Sequence, residues 1–556
     1  MSQFIQVAFA GHNRPEDLGD VDFAQRAAAD AFERLRQAGV DHARLLCGFA
    51  PGADTLAVEQ WHRAGLGPTH LILPFLDDDA PETGGGIEAV TWLDGSATER
   101  DGRNPHLQQT RLIVEAADIV VVVWTGTAAK GAGGTADAVS TALELGRPVL
   151  WVNPADRGRV RLILPQPLPI DFHFLEFLEA LQLPNPPHVQ DATPETIRAA
   201  LAMTQQPHML GEEDPPKPSH RLIDGLLQRY ASRIYSGFRR LVGGPPPPPA
   251  TPHVDPPASL EEQSGFEILT RAYQRCDGLA NRLSATHRSE QLLLVLAMIA
   301  AALVGSAWAI WPQFKHTAVW IEMTISVCAL LVWASATDGK QHDRWSQARF
   351  LAEQLRLARA GWALGLSIDC ADPGAPPDRF REERNVRRRA GVPTGRFDPE
   401  RVSEWGRWAM YELIQGQADY HRGIGVRDGR IAHRMHLLED SSFFCLFGVF
   451  ALYLILHALA GEAGAPHWFT GVVSMVGTTA PAIGAATMAL DAKLEFGEHS
   501  SRSKELAHTL DDLARQFGPQ PSFDSMRQAA RAAMRVHIAE AQHWQEGSNR
   551  RRLFRP

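Results

Sequence analysis

Three short segments carry residue types suited to holding an anion. Gly11-His12-Asn13-Arg14-Pro15 sets a small residue beside a guanidinium. Gly48-Phe49-Ala50-Pro51-Gly52-Ala53-Asp54 has glycines that permit close backbone approach, and an Asp54 placed to cap a helix beginning at Thr55. Gly131-Ala132-Gly133-Gly134-Thr135-Ala136-Asp137 runs a glycine pair straight into a helical pattern, so free N–H groups and the positive end of a helix dipole would face an anion. Each segment alone is also ordinary turn chemistry; only their joint occurrence points to a ligand. If bonds were broken here, the carboxylates within reach would be Asp137, Glu144 or Asp54. Asp137, in the first turn of its helix, serves the helix dipole equally well.

Such segments act together only if a scaffold brings them to one edge. Short apolar runs at Ile5 to Gly11, Ala43 to Phe49, His70 to Phe75, Ile119 to Trp124 and Pro148 to Val152 read as strands. They alternate with helical patterns such as DFAQRAAADAFERLRQAG, ADTLAVEQWHRAG and TADAVSTALELG. This alternation predicts an α/β, Rossmann-like domain with a parallel sheet, in which ligands bind beyond the carboxyl ends of the strands.

In order along the chain, GHNRP at 11–15, CGFAPGADTLA at 47–57 and AGGTADAVSTALELGRPV at 132–149 resemble the SLOG superfamily. That Rossmannoid group includes the DprA-like and LOG-like proteins and nucleotide-sensing modules of bacterial conflict systems. The resemblance covers residues 1–182. It implies a nucleotide or nucleotide-derived ligand surrounded by Arg14, Gly48, Gly52, Asp54, Gly133, Gly134 and Thr135; the turns themselves add Gly11 and Asp137. LOG-type phosphoribohydrolases carry G-G-x-G-T-x-x-E with a catalytic glutamate, whereas Ala138 stands three residues past Thr135 here. Asp137 and Glu144 are the nearest carboxylates, so sensing is favoured over hydrolysis.

The rest of the chain is different in kind. With 556 residues, 21% of them charged, 44% hydrophobic and a net charge of -9, it is neither one small module nor a strongly basic nucleic-acid binder, and no nucleic-acid partner is expected. Its mean hydropathy of -0.19 conceals four apolar runs, 292–311, 318–336, 443–460 and 468–490, which read as two transmembrane hairpins. Gly471, Gly477, Pro481 and Gly484 interrupt the last run. Eleven basic residues, among them Arg282, Arg288, Arg427, Arg430, Arg434 and Lys493, flank the outer ends, against Lys315 alone in the hairpin loops. The positive-inside rule then predicts a multi-pass protein of the inner (plasma) membrane with both termini cytoplasmic. The five scattered cysteines form no C-x-x-C pair and there is no secretory leader pattern, so neither a disulfide framework nor a metal site is expected.

Proline-rich stretches divide the chain into 1–182, a connector at 183–259, helices with the first hairpin at 260–440, and the second hairpin with C-terminal helices at 441–556. Within the connector, 220–243 is amphipathic with marginal arginines, fitting either an anionic leaflet or a protein surface. Seven arginines between Arg381 and Arg401, interleaved with Glu382 and Glu383, read as a solvated loop beside the membrane. From 260 to 556, ARFLAEQLR at 348–356, a later QADYH and SSRSKELAHTLDDL at 500–513 resemble the SLATT-like group of transmembrane effector domains. That resemblance implies a membrane-perturbing or pore-forming effector in conflict or antiviral responses, acting as a homo-oligomer. The leading expectation is therefore a membrane effector controlled by a nucleotide-sensing domain with no firm cofactor. A membrane-tethered N-glycosidic hydrolase is the first alternative. An ion channel or transporter is the second, weakened because the spans lack buried charges.

Overall fold

A computed structural model describes residues 5–11, 21–79, 85–94, 105–128, 132–154, 159–164, 174–181, 188–205, 233–337, 340–372, 380–460, 466–516 and 523–550. Among these residues, an N-terminal sheet region is followed by a long all-helical region with four helices long and apolar enough to cross a membrane.

In the sheet region the elements run β1 (Ile5–Gly11), α1 (Val21–Gln37), β2 (Ala43–Cys47), α2 (Ala53–Ala64), β3 (Thr69–Leu73), β4 (Ile87–Trp92), α3 (Pro105–Ala116), β5 (Ile119–Val123), α4 (Thr135–Glu144), β6 (Val149–Val152), β7 (Val160–Ile163), α5 (Phe174–Leu181), β8 (Val189–Asp191) and α6 (Pro194–Gln205). The sheet order is β8-β7-β6-β5-β1-β2-β3-β4-β9, where β9 (Gly395–Arg396) comes from deep in the helical region. The five strands expected from sequence are all present and mutually parallel. The sheet as a whole is mixed, because β7 near one edge runs antiparallel to both its neighbours, β6 and β8. β8 and α6 fall inside the stretch expected to be connector, so the sheet region extends beyond residue 182.

The helical region comprises α7 (233–243), α8 (Ala258–Glu261), α9 (Ser264–Ala307), α10 (Lys315–Thr337), α11 (Lys340–Ala363), α12 (Arg381–Ala390), α13 (Pro399–Met410), a π-helical turn Tyr411–Gln415, α14 (Gly416–Ala460), α15 (His467–Leu494), α16 (Phe496–Gln516) and α17 (Phe523–Arg550). Helix α13, the π turn and α14 form one continuous rod from Pro399 into the third candidate span. A π turn leaves carbonyls out of register with the helical ladder. Here Arg356 Nη1 donates to Glu412 O at 3.0 Å and His537 Nε2 to Leu413 O at 2.8 Å.

The four candidate spans pack in a row, α10 on α9, α9 on α15, α15 on α14. Buried fractions follow that order: 33% and 17% for the apolar windows of the inner helices α15 and α9, 6% for each outer one. The glycines that seemed to interrupt the last run instead allow close approach along an unbroken helix. A Cβ on Gly471 would lie 2.3 Å from Ala309 O, and one on Gly477 would lie 3.2 Å from the Phe450 ring.

Two cores flank the sheet. Val7, Phe9, Leu45, Leu71 and Val121 face α1, α2 and α6. Ala8, Leu46, Ile72, Val120 and Val122 belong to a core that continues without a break into Leu355, Trp362, Trp405, Trp408 and Met534 of the helical region. Sheet and helices are therefore one packed body joined by more than a connector. The arginine run between 381 and 401 is the reason, and the expectation of a solvated loop is corrected here. Arg384, Arg387 and Arg388 are all buried, and the segment beyond them supplies β9.

Within the run Arg387 Nε meets Glu383 Oε1 at 3.1 Å, and further carboxylates come from outside it. Asp369 accepts from Arg387 Nη2 at 2.7 Å and Arg384 Nη2 at 3.2 Å, and also pairs with Arg147, whose side chain is 0% exposed. Arg388 Nε meets Asp118 Oδ1 at 2.6 Å, and Arg531 Nη2 meets Glu115 Oε1 at 3.1 Å. Burial alone would raise the Asp369 carboxyl, but Arg384, Arg147 and Arg387 outweigh it and hold it well below the usual carboxylate range.

The amphipathic segment is described only from 233 onward. There α7 packs Tyr235 among Leu292, Ile431, Met435, Leu490 and Phe496, and Arg239 pairs with Asp428 at 3.1 Å. It is seated against α9, α14 and α15 where they leave the membrane-spanning stretch.

Candidate functional site

The chain progresses from β1 outward through β2, β3 and β4, then returns to the other side of β1 with β5. Strand order thus reverses between β1 and β5, and the carboxyl ends there form the crevice where open α/β sheets bind ligands. Gly11 ends β1 opposite Val123, the last residue of β5. The loops after β2 and β5 converge on the same edge.

On the β1/β2 side, Gly11 packs so tightly on the start of α2 that a Cβ would lie 2.3 Å from Ala53 Cβ. The Asp54 carboxylate is buried beneath the loop, accepting from Ala50 N at 3.3 Å and from the Gly11 N–H. Burial pushes Asp54 up to about 7, the backbone donors at Ala50 and Gly11 only partly opposing it. Its role is thus to pin two loops together under the crevice, and it does not cap α2 as the sequence implied: the N-cap is Gly52, at φ +107°, with no side-chain bond.

On the β5 side, Gly133 has φ +86° and a Cβ there would lie 2.4 Å from the backbone of His106 and Leu107, so only glycine fits. Its N–H is taken by Asp137 Oδ2 at 2.6 Å, and its carbonyl accepts from Thr110 Oγ1 at 2.8 Å. Gly134 is the N-cap of α4 with no side-chain cap bond, and Thr135 is buried in the first turn. Asp137 therefore shapes the glycine turn as a local anion and brings a carboxylate to the rim. Glu144 closes the opposite end of α4, bonded to Ser140 Oγ at 3.2 Å, and is not brought to the strand ends.

Helix α3 joins the two halves, and the sequence patterns did not single it out. Gln109 Nε2 donates to Gly48 O at 3.3 Å and Ile72 O at 2.6 Å, while its neighbour Thr110 holds Gly133. His106 at its start packs edge-to-face on Phe75. The only sequence signal was a polar QQT triplet inside an apolar helical pattern. Gly11, Gly48, Gly52, Asp54, Gly133, Gly134, Thr135 and Asp137 all lie at this edge, at strand ends, in the turns after them or in the first turns of α2 and α4. Arg14 and its neighbours 12–20 lie outside the described residues.

No family model, curated protein or solved structure matches this chain. The resemblances to the SLOG and SLATT-like groups therefore rest on the residues that carry them. Among the described residues no cluster of three His, Cys, Asp or Glu side chains is arranged to hold a metal. A small cavity of about 20 Å³, room for about one water, lies away from the strand ends, between Leu112 and Glu115 of α3 and Trp362, Ser367 and Arg387 of the helical region.

Proposed function

We propose that the protein is a membrane-anchored effector in which the crevice at the β1/β5 edge binds a nucleotide or nucleotide-derived anion and thereby controls the four-helix membrane part. The observation that carries this reading is the continuity of the fold. One core runs from the sheet into α9 and α14, which continue into candidate spans, a buried ion network ties the sheet region to α12 and α17, and the sheet itself includes a strand from between the two hairpins. A ligand that favours one arrangement of the loops around α3 therefore has a packed route to the spans. For a substantial population shift its affinities for the two arrangements must differ by several kcal/mol.

The excess of arginine and lysine at the outer ends supports an orientation with the sheet, connector and C-terminal helices in the cytoplasm, at the plasma membrane. The open row of spans supports assembly with further copies, whose packing the ligand would alter. Release of membrane integrity in response to a nucleotide signal would suit a conflict or antiviral role.

The test uses the full chain in liposomes loaded with a self-quenched dye, titrated with nucleoside mono-, di- and triphosphates and cyclic dinucleotides. Binding by calorimetry and dye release should appear for the same compound and disappear together in Gly133→Val, with insertion unchanged. Dye release that persists in Gly133→Val without binding would overturn the sensor assignment.

A further inference from the structure

We propose that α7 and one face of α14 form a binding surface for the headgroup of an anionic phospholipid, beside the point where α14 becomes apolar. This rests on the membrane reading above but goes beyond it, because it assigns lipid class and residues. Helix α14 advances about 100° per residue. Arg427, Arg430, Arg434, Leu437 and Leu438 therefore share one stripe, basic toward the sheet and apolar toward the span that begins at Phe443. Glu439 and Asp440 lie about 140° and 120° round the helix from Arg434, off the stripe.

Arg430, Arg434, Leu437 and Leu438 are exposed, the two leucines 49% and 50%. Arg434 Nη1 donates to Val242 O at 2.7 Å and to Leu241 O at 3.4 Å, fixing the end of α7 against the stripe. That places Leu241, 81% exposed, and exposed Arg240 on the same surface. Two leucine-bearing elements with arginines on their sheet-side margin form an amphipathic shelf outside the sheet core.

The heights match a bilayer. Leu438 precedes Phe443 by five residues and Arg434 by nine, about 7 and 13 Å along the axis. The headgroup layer is roughly 5–8 Å deep per leaflet, so Leu438 sits within it and Leu437, about 9 Å out, at its outer edge, and the long Arg434 and Arg240 side chains reach its phosphates from outside. A guanidinium donates a planar pair of N–H groups that fits a phosphodiester. A net-neutral headgroup offers the same phosphate with a cation attached, so an anionic lipid is the better occupant.

Full-length protein is reconstituted in nanodiscs of phosphatidylcholine with a minor fraction of phosphatidylglycerol, and co-retained lipid is counted by native mass spectrometry after partial delipidation. Wild type should enrich phosphatidylglycerol, with about a fivefold loss of preference per arginine removed from the surface. Arg240→Gln should lose part of the preference and Arg240→Gln/Arg434→Gln nearly all of it. Arg434→Lys, which keeps the charge and the tether to α7, should retain most. Arg36→Gln/Arg63→Gln, an equal charge loss on the sheet region, should behave as wild type. Equal enrichment in wild type and Arg240→Gln/Arg434→Gln, or equal loss in Arg36→Gln/Arg63→Gln, would overturn the assignment. Failure of the wild type to enter nanodiscs of any composition would instead sink the membrane reading on which it stands.

Discussion

Replacing Asp369 with asparagine keeps the shape of the side chain and removes the charge on which Arg147, Arg384 and Arg387 converge. All four side chains are at most 7% exposed, so water cannot take over the pairing. Breaking a buried pair by removing one partner costs about 3–5 kcal/mol, because the surviving charge stays buried and uncompensated. Three guanidiniums on one carboxylate place Asp369→Asn toward the top of that range, a fall of roughly two to four orders of magnitude in the folded population of the joint. The site to watch is β9, which is held to β4 through Phe397 N and Trp92 O at 2.8 Å and lies just beyond α12. Hydrogen exchange of residues 384–397 in detergent-solubilised protein should accelerate strongly, while β1, β2 and α1 change much less. Asp369→Leu combined with Arg147→Met should recover part of the loss, since replacing a buried ion pair with apolar groups is tolerated better than halving it. Unchanged exchange in 384–397, with a stability loss under about 1 kcal/mol, would refute the view that this network clamps sheet to helices.

Other outcomes follow from particular contacts. A Cβ on Gly265 would lie 2.3 Å from Ala390 O and 2.6 Å from Trp362, so Gly265→Ala should lower the thermal midpoint by the equivalent of about 1–3 kcal/mol. Burial lowers His421 to about 4 and His537 to about 3, from an ordinary 6.5, so both are neutral in the fold. Their contribution is complete above pH 6.5 and lost as the pH falls toward 4 and 3. Denaturant midpoints should therefore drop between pH 7 and 5, and the slope should flatten in His537→Phe. Asp54 has the opposite sign: raised to about 7, it favours the fold below its unfolded value near 4, and that contribution fades as the pH rises to 7. Ionised Asp54 also repels an anion in the crevice. Nucleotide affinity should weaken from pH 6 to 8 in wild type and become flat in Asp54→Asn; an unchanged pH profile in that variant would separate Asp54 from the ligand.

The strands that build the crevice were legible because each is a short, fully buried apolar run followed by a turn, a pattern that needs no partner to be recognised. The four apolar helices were legible for the same reason. β9 was not, since two residues, Gly395 and Arg396, carry no periodicity and pair only because α12 brings them to Trp92. The arginine run misled because Glu383, paired with Arg387, balances only part of it locally; its other carboxylates are Asp369 and Asp118, the latter 270 residues away from Arg388. Locally it resembles a hydrophilic loop. α3 escaped for a subtler reason: Gln109 and Thr110 act through backbone carbonyls of Gly48, Ile72 and Gly133, and a sequence pattern does not reveal which carbonyls a side chain will meet.

The π turn at Tyr411–Gln415 acts as a phase adjuster. It carries one residue more than an α turn needs, and each residue turns the helix by about 100°. The azimuth of the third span is therefore set not at the membrane but about 30 residues, some 45 Å, below Phe444, where Arg356 and His537 hold the displaced carbonyls. Deleting one residue from 411–415 would leave the sheet end docked and swing the exposed row of Phe444, Phe447 and Leu454 by more than a quarter of a circle, giving lipid a different side of the same helix.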